Sequence, residues 1–278
     1  TKGFVLADEE SSVQSIGDEP FQIKSKYPQI TVAVDAKRTH GIEKLLAQDN
    51  PAVDLVLLDD AFQHRYINAG LNILLTDYNR IFCDDALMPA GRLRESEQGK
   101  DRAHIVIVTK CPDDIKPIDF NIITKQLNLR PCQELYFSRI KYTNLIPVYK
   151  GESLKKESLS LLSKKKKILL VTGIASPAPL IKEINKYNKD VYPLSFPDHH
   201  NFSGKDIQKI AETFYELTKD GSDALIITTE KDATRFIPNP TVSSDVKEHL
   251  YSLPIEIEIL QDKQQMFNQS IINYVRKN

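Results

Sequence analysis

Three cysteines in 278 residues, Cys83, Cys111 and Cys132, are too few and too scattered for a disulfide framework. Their number is odd and no C-x-x-C spacing occurs, which also argues against a zinc site. Such usage fits a reducing compartment. No stretch approaches the roughly 18 consecutive apolar residues of a membrane-spanning helix, and the opening residues do not read as a charged-then-apolar leader. Any meeting with a membrane is therefore expected at its surface. Excess charge is lacking too: 37 Lys and Arg face 38 Asp and Glu, a net charge of −1. No global field gathers nucleic acid or anionic lipid, and a nucleic-acid partner is not expected. Internal repeats of fixed period are absent. So is the phosphate-cradling pattern G-x-x-x-x-G-K-[ST]: the Gly–Lys pairs, Gly99-Lys100 and Gly204-Lys205, lack both the earlier glycine and the following hydroxyl.

What is present is an α/β rhythm. A hydrophobic content of 41% over 278 residues allows one large core or two ordinary ones. Apolar runs flanked by helical patterns recur from end to end. Gln29 to Asp35, Asp54 to Asp60, Leu71 to Asp77 and His104 to Lys110 read as strands, with Ile42, Leu45 and Leu46 on one face of an intervening helix. Glu134 to Phe137 and Asn144 to Tyr149 read as a hairpin or paired linker strands. The lysine-rich run from Lys155 to Lys167 reads as a solvated boundary. Beyond it, Lys167 to Gly173 and Ala224 to Thr229 are buried strands. Ser176-Pro177 opens a helix with Leu180, Ile181, Ile184 and Tyr187 inward. Ser203 to Asp206 is a capping-box variant before the buried stripe Ile207, Ile210, Ala211, Phe214 and Leu217. Residues 264–275 close the chain as an amphipathic helix. The expected fold class is α/β: two α/β/α lobes with mainly parallel sheets, at 1–132 and 164–278, joined by a β-strand linker at 133–150.

Four polar clusters fall at the ends of these elements. Asp54 to Asp60 is an apolar run ending in two adjacent carboxylates, Asp59 and Asp60, followed by Gln63 and His64. A parallel strand delivers such acids to the carboxyl edge of its sheet, where open α/β folds bind ligands. Paired Asp there suit Mg²⁺, which binds through one or two carboxylates, waters and substrate phosphates; the alternative is a strand end capped by solvated acids. Gly17-Asp18-Glu19-Pro20 brackets two acids before a helix, equally readable as a helix cap. Met88 to Glu95 carries Arg92 and Arg94, suited to gripping phosphate oxygens. Phe196 to Phe202 sets Asp198, His199 and His200 among aromatics. Neighbouring Asp and His can form an acid–base pair, although adjacency does not make them face each other.

Six motifs in order carry a resemblance: Asp59-Asp-Ala-Phe-Gln-His64, Met88-Pro-Ala-Gly-Arg-Leu-Arg-Glu95, Asp101 to Thr109, Gly173-Ile-Ala-x-Pro177, Phe196-Pro-Asp-His-His-x-Phe-Ser203 and Thr229-Glu-Lys-Asp-Ala233. Together they resemble the tetraacyldisaccharide 4′-kinases, the lipid A 4′-kinases of Gram-negative bacteria. The resemblance implies a P-loop-NTPase-like first lobe. It also implies transfer of the γ-phosphate of ATP, with Mg²⁺, to the 4′-hydroxyl of tetraacyldisaccharide 1-phosphate. It implies peripheral attachment at the cytoplasmic face of the inner membrane and no obligate protein partner. Carried over by position, Asp18 is the catalytic acid of the Asp-Glu-Pro motif and His199 its partner. Asp59 and Asp60 are the Mg²⁺ ligands; Glu19, Gln63 and Glu95 lie toward the nucleotide; Arg38, His64 and Arg94 line the acceptor or phosphate cleft. Within the family the phosphate loop precedes the segment resembling Thr1 to Phe4. The chain is accordingly expected to lack its first strand, that loop and the hydrophobic segment that approaches the membrane, and to be inactive alone. Two rival readings stand beside this one. A degenerate homologue would bind lipid or nucleotide without turnover. A metal-dependent phosphoesterase would use Asp198-His199-His200, but the Asp-x-Asp and His-rich motifs of that class are missing.

Overall fold

A computed structural model describes residues 3–48, 52–149, 156–163 and 167–277, apart from the side chain of Leu161. The first half of the chain runs through β1 (Val5–Leu6), α1 (Val13–Ile16), α2 (Asp18–Lys26), β2 (Ala33–Val34), α3 (Arg38–Leu46), β3 (Ile73–Asp77), β4 (Ile105–Thr109), α4 (Pro117–Leu127) and β5 (Glu134–Tyr142). The second half runs through β6 (Ile146–Pro147), β7 (Lys167–Thr172), α5 (Ala178–Ile184), β8 (Val191–Ser195), α6 (Gly204–Thr218), β9 (Ala224–Thr229), α7 (Glu230–Phe236), α8 (Ser244–His249), β10 (Leu250–Leu253), β11 (Ile255–Ile259) and α9 (Gln264–Lys277). The fold class is α/β with mainly parallel sheets, as the apolar runs require.

Two compact units form, one from residues 1–34 and 142–256, the other from 35–141 and 257–278. This grouping differs from the sequential division at 1–132, 133–150 and 164–278, because each end of the chain joins the half remote from it in sequence. The reasons are specific contacts. Helix α2 is held by buried charges of α7 in the first unit. In the second, Phe267 of α9 packs edge-on against Tyr136 of β5, ring centroids 5.2 Å apart.

The first unit holds a five-stranded sheet of order β6-β10-β9-β7-β8. Its β7–β8, β7–β9 and β9–β10 pairs are parallel, and β6 runs antiparallel to β10. Strand β7 shows why the run Lys167 to Thr172 is continuously apolar. Side chains alternate across a strand, and both faces are covered. Leu169 and Val171 meet Ile207, Ile210 and Phe214 of α6, while Ile168 and Leu170 meet Leu180 and Ile184 of α5. Helix α6 starts as its capping box dictates, with Ser203 Oγ accepting from the Asp206 amide. The N-cap of α5 falls on Pro177, one residue past Ser176. A small antiparallel pair, β1–β2, seats the chain beside α2; only Ala33–Val34 of the expected strand from Gln29 to Asp35 is a strand.

Two linker expectations are corrected. Strand β5 lies in the second unit's sheet and β6 in the first's, so they do not form a hairpin with each other. Each finds its neighbour elsewhere, β5 pairing with β4 and β6 with β10. The lysine-rich run is not simply a solvated boundary. Lys155 and residues 164–166 lie outside the described residues, but within it Leu159 and Leu162 are buried in the same core as Ile168 and Leu170.

The second unit is built on a four-stranded sheet of order β11-β5-β4-β3, with β3–β4 and β4–β5 parallel. Strand β4 has a double-sided core: Val106 and Val108 face Ile123 and Leu127 of α4, Ile105 and Ile107 the Tyr136 and Phe267 side. The stretch from Asp54 to Asp60, expected as a buried strand, joins neither sheet, and Leu55 and Leu57 are 56% and 89% exposed. An apolar run becomes a buried strand only where a ladder neighbour and two covering faces exist, and the described residues of the second unit supply none beside it.

Candidate active site

Asp18 is the first residue of α2, following Gly17 at φ 94°, a left-handed value that suits glycine. The N-cap position falls on Gly17, so Asp18 is the first helical residue and not the cap. Instead the carboxylate, 9% exposed, turns toward the Arg235 guanidinium and the His199 imidazole of the same unit. Oδ2 lies 2.7 Å from His199 Nδ1 and accepts a hydrogen bond from Arg235 Nη2. Oδ1 accepts from Arg235 Nε at 3.2 Å. Burial alone pushes this carboxyl up, but the hydrogen bonds from Arg235 and His199, with the charges of Arg235 and Lys231, outweigh it. Asp18 is thereby held below the usual carboxylate range.

His199 reaches Asp18 because its backbone is left-handed, φ 58°, a conformation uncommon outside glycine and found at functional positions. Its amide donates to Asp198 Oδ1 at 3.0 Å, which steadies the turn. Lys231 Nζ lies 3.2 Å from His199 Nε2. Donation by that ammonium assigns the lone pair to Nε2 and the proton to Nδ1, toward Asp18. The neighbouring His200 points elsewhere, stacking on Phe196 and bonding Asp206 of the α6 capping box at 3.0 Å. Of the Asp198-His199-His200 run, only His199 meets the buried acid. Glu19 is more exposed and lies 3.6 Å from Lys231.

Three charges of this cluster, Lys231, Asp232 and Arg235, were not among the candidate residues, although Thr229 to Ala233 stood out as a motif. The fold explains the motif. Thr229 caps α7 by accepting from the Asp232 amide. Asp232 Oδ2 accepts from the Gly173 amide at 2.9 Å and Thr229 Oγ1 at 2.8 Å. A side chain at residue 173 would bring its Cβ to 3.0 Å from Asp232 Oδ1, so the glycine permits the close approach. A Thr-x-x-Asp cap with Arg three residues on was the available signal, but spacing does not reveal that its charges are buried.

The remaining candidates belong to the second unit. Gln63, Arg94 and Glu95 line one cavity of about 150 Å³, whose apolar side includes Phe62, Leu74 and Leu93. Glu95 is a brace within it: Oε1 accepts from Arg102 at 2.7 Å and Oε2 from Arg65 at 2.8 Å. Arg102 holds it below the usual carboxylate range against the effect of burial, and Arg65 adds to this. Arg102 also stacks 4.6 Å from the Phe62 ring and donates to the Phe62 carbonyl. The arginine loop is shaped by Asp85, whose Oδ1 accepts from the Ala86 and Arg92 amides. Gly91 is obligatory there, since a Cβ would fall 2.2 Å from the Ala86 carbonyl oxygen.

Asp60 is exposed, at φ 46°, with Arg94 3.8 Å away. Asp59 is exposed, and among the described residues neither it nor His64 makes a side-chain hydrogen bond. Arg38 opens α3 and donates to the Asp35 carbonyl, while His40 Nδ1 lies 2.6 Å from Asp35 Oδ2. Among the described residues no three His, Cys, Asp or Glu converge as a metal cage. Two adjacent, accessible carboxylates do suit Mg²⁺, which needs few protein ligands when phosphates share it.

The comparisons with known proteins agree with one another. The family model described as Tetraacyldisaccharide-1-P 4′-kinase matches residues 1–276. The chain is 58% identical to the tetraacyldisaccharide 4′-kinase of Bacteroides thetaiotaomicron, with all of this chain and 74% of that protein aligned. It is 41% identical to the kinase of that name from Flavobacterium johnsoniae, covering all of this chain and 76% of the relative. The crystal structure of LpxK from Aquifex aeolicus in complex with ATP superposes with a TM-score of 0.68 at 20% identity, over 99% of this chain and 75% of that one. At that identity the superposition shows a shared fold. The chain belongs to the tetraacyldisaccharide-1-phosphate 4′-kinase family.

Proposed function

We propose that the protein transfers the γ-phosphate of ATP to the 4′-hydroxyl of a tetraacyldisaccharide 1-phosphate, a step of lipid A biosynthesis. The observation that carries this reading is the buried Asp18 carboxylate, held by Arg235 and 2.7 Å from His199, in a chain of this kinase family. Phosphoryl transfer asks a protein mainly for positioning and charge stabilisation. The acceptor oxygen forms the new bond to the γ-phosphorus as the bond to the bridging oxygen of ADP breaks, and the hydroxyl proton passes to the Asp18–His199 pair. Asp18 orients the hydroxyl by accepting its hydrogen bond; His199, donating through Nδ1, fixes the carboxylate.

In the second unit, Asp59 and Asp60 would hold Mg²⁺, which when bound neutralises charge on the phosphates. Gln63 serves the nucleotide, as does Glu95 through the arginines it braces, and Arg94 supplies charge for a phosphate. Arg38 and His64 are assigned to the acceptor, and Glu19 to the nucleotide side of the Asp18 cluster. The lipid acceptor calls for contact with a membrane surface, at the cytoplasmic face of the inner membrane. Among the described residues no helix is long and apolar enough to cross a membrane, which suits a peripheral role. The deciding assay follows labelled γ-phosphate from ATP into tetraacyldisaccharide 1-phosphate. It compares these 278 residues with a protein of the relatives' full length, because the 278 lack a G-x-x-x-x-G-K-[ST] loop. Transfer by the longer protein alone supports the reading and the need for that loop. Binding without transfer by either returns the protein to a non-catalytic binder.

A further inference from the structure

The most deeply buried cation of the Asp18 cluster is Arg235, whose side chain is 3% exposed between Asp18 and the fully buried Asp232. Its donors are almost fully used. Nε and Nη2 grip the two oxygens of Asp18, and Nη1 donates to Asp232 Oδ1 at 3.1 Å and to the His200 carbonyl at 3.2 Å. Asp232 is in turn fixed by the Gly173 amide and Thr229. The carboxylate of α2 is thus tied through a rigid planar fork to a strand end and a helix cap.

We propose that Arg235 is a positioning residue for phosphoryl transfer, holding both oxygens of Asp18 so that Oδ1 is presented to the acceptor hydroxyl, with Asp232 as its anchor. This rests on the reading of Asp18 given above. A carboxylate oxygen offers about two acceptor positions. Oδ2 is filled by Arg235 Nη2 and His199 Nδ1, whereas among the described residues Oδ1 accepts from Arg235 Nε alone and keeps one position for the substrate. Lysine could supply the charge but not the two parallel bonds that set the plane of the carboxylate.

The rival role is simple glue between α2 and α7, which would cost stability and leave the pH profile unmoved. The charges around Asp18 allow the two to be told apart. Helix α7 contributes Lys231, Asp232 and Arg235, the loop after β8 contributes Asp198 and His199, α2 itself contributes Glu19, and α1 contributes none. Lys231 is shared among Glu19, Asp198 and His199. Arg235 is therefore the full charge in direct contact with Asp18. Without it, burial and the negative Asp232 both favour protonation of Asp18, so the acid limb of kcat moves to higher pH.

The test measures kcat and KM for ATP and for the lipid acceptor across pH in the full-length protein. Arg235→Gln is expected to lower kcat about tenfold or more, leave both KM values within about twofold, and raise the acid limb by about one pH unit. Arg235→Lys is expected to keep the acid limb and still lower kcat about three- to tenfold, because the charge survives and the fork does not. A folded Arg235→Gln with an unmoved acid limb, or an Arg235→Lys variant with parent kcat, overturns the proposal. If Arg235→Gln fails to fold, the lysine variant decides alone. Asp18→Asn is the control: parent-like turnover there overturns the reading of Asp18 itself, which is a different failure.

Discussion

Asp18 in the first unit and Asp59-Asp60 in the second are acids of the same proposed reaction, yet the fold treats them in opposite ways. Asp18 is 9% exposed and both its oxygens are bonded to side chains of the protein; Asp60 has 77% of its side chain exposed and one loose cationic neighbour at 3.8 Å. A buried charge must be paired and hydrogen-bonded or it is too costly to keep. An exposed one is solvated and contributes little to folding. The acid proposed to handle the proton is thus set in place by folding itself, whereas the acids proposed to hold Mg²⁺ are left accessible, as suits donors that must bind and release a hydrated ion with each nucleotide.

That contrast breaks most visibly at Asp18. Asp18→Asn is expected to reduce kcat by about 10³-fold, within the range of acid–base contributions. It is also expected to destabilise the protein by about 3 kcal/mol, because it leaves Arg235 buried with one fewer anionic partner. Both are read by single-turnover transfer and thermal unfolding. A fall in activity without loss of stability would show that the Asp18 charge is not needed to balance Arg235. The same carboxyl gives a pH signature. Its folded value is depressed, so the stability it contributes is complete above the unfolded value near 3.9 and is lost as pH falls through the lower folded value. Acid unfolding of the parent is therefore expected below about pH 4, and Asp18→Asn should flatten it.

His199 comes next. With 55% of its side chain exposed, His199→Ala is expected to lower kcat about 10²-fold while changing stability by less than about 1 kcal/mol. Equal turnover would remove His199 from the mechanism. Asp60→Asn is expected to shift the Mg²⁺ titration about tenfold upward with unfolding unchanged within about 0.5 kcal/mol. A stable variant with the parental Mg²⁺ curve would place the metal elsewhere. The smallest effect is expected for Leu57→Ser in these 278 residues, below about 0.5 kcal/mol, since that side chain is 89% exposed. A loss of 2 kcal/mol or more would mean that the Asp54–Asp60 run is buried after all.

How far the sequence could be read follows the same line between buried and exposed. Strands β4, β7 and β9 were legible because each is an apolar run with both faces covered, and α6 because its capping box and its stripe agree. The order of the motifs pointed to the family unaided, and the Asp18–His199 pairing it implied is a contact in the fold. The Asp54–Asp60 run misled because hydrophobic pattern reports that a strand is suited to burial, not that a neighbour is there to pair with it. Arg235 was illegible for a different reason. An Arg three residues after an Asp on a helix usually marks a solvated pair, and what buries this one is Asp18, 217 positions earlier in the chain. The exchange of chain ends between units was hidden likewise, since it depends on contacts of high sequence separation, such as that between Tyr136 and Phe267.

That separation of 217 residues between Asp18 and Arg235 sets a schedule during synthesis. At about 5–20 residues per second, the ribosome needs roughly 10–45 s after making Asp18 before Arg235 exists. No nascent chain that stops before Arg235 can hold the acid in its finished setting. A product terminated before Arg235 therefore lacks these bonds, whatever else it has folded, and the setting of the Asp18 carboxylate takes shape only once the unit that encloses it is nearly complete.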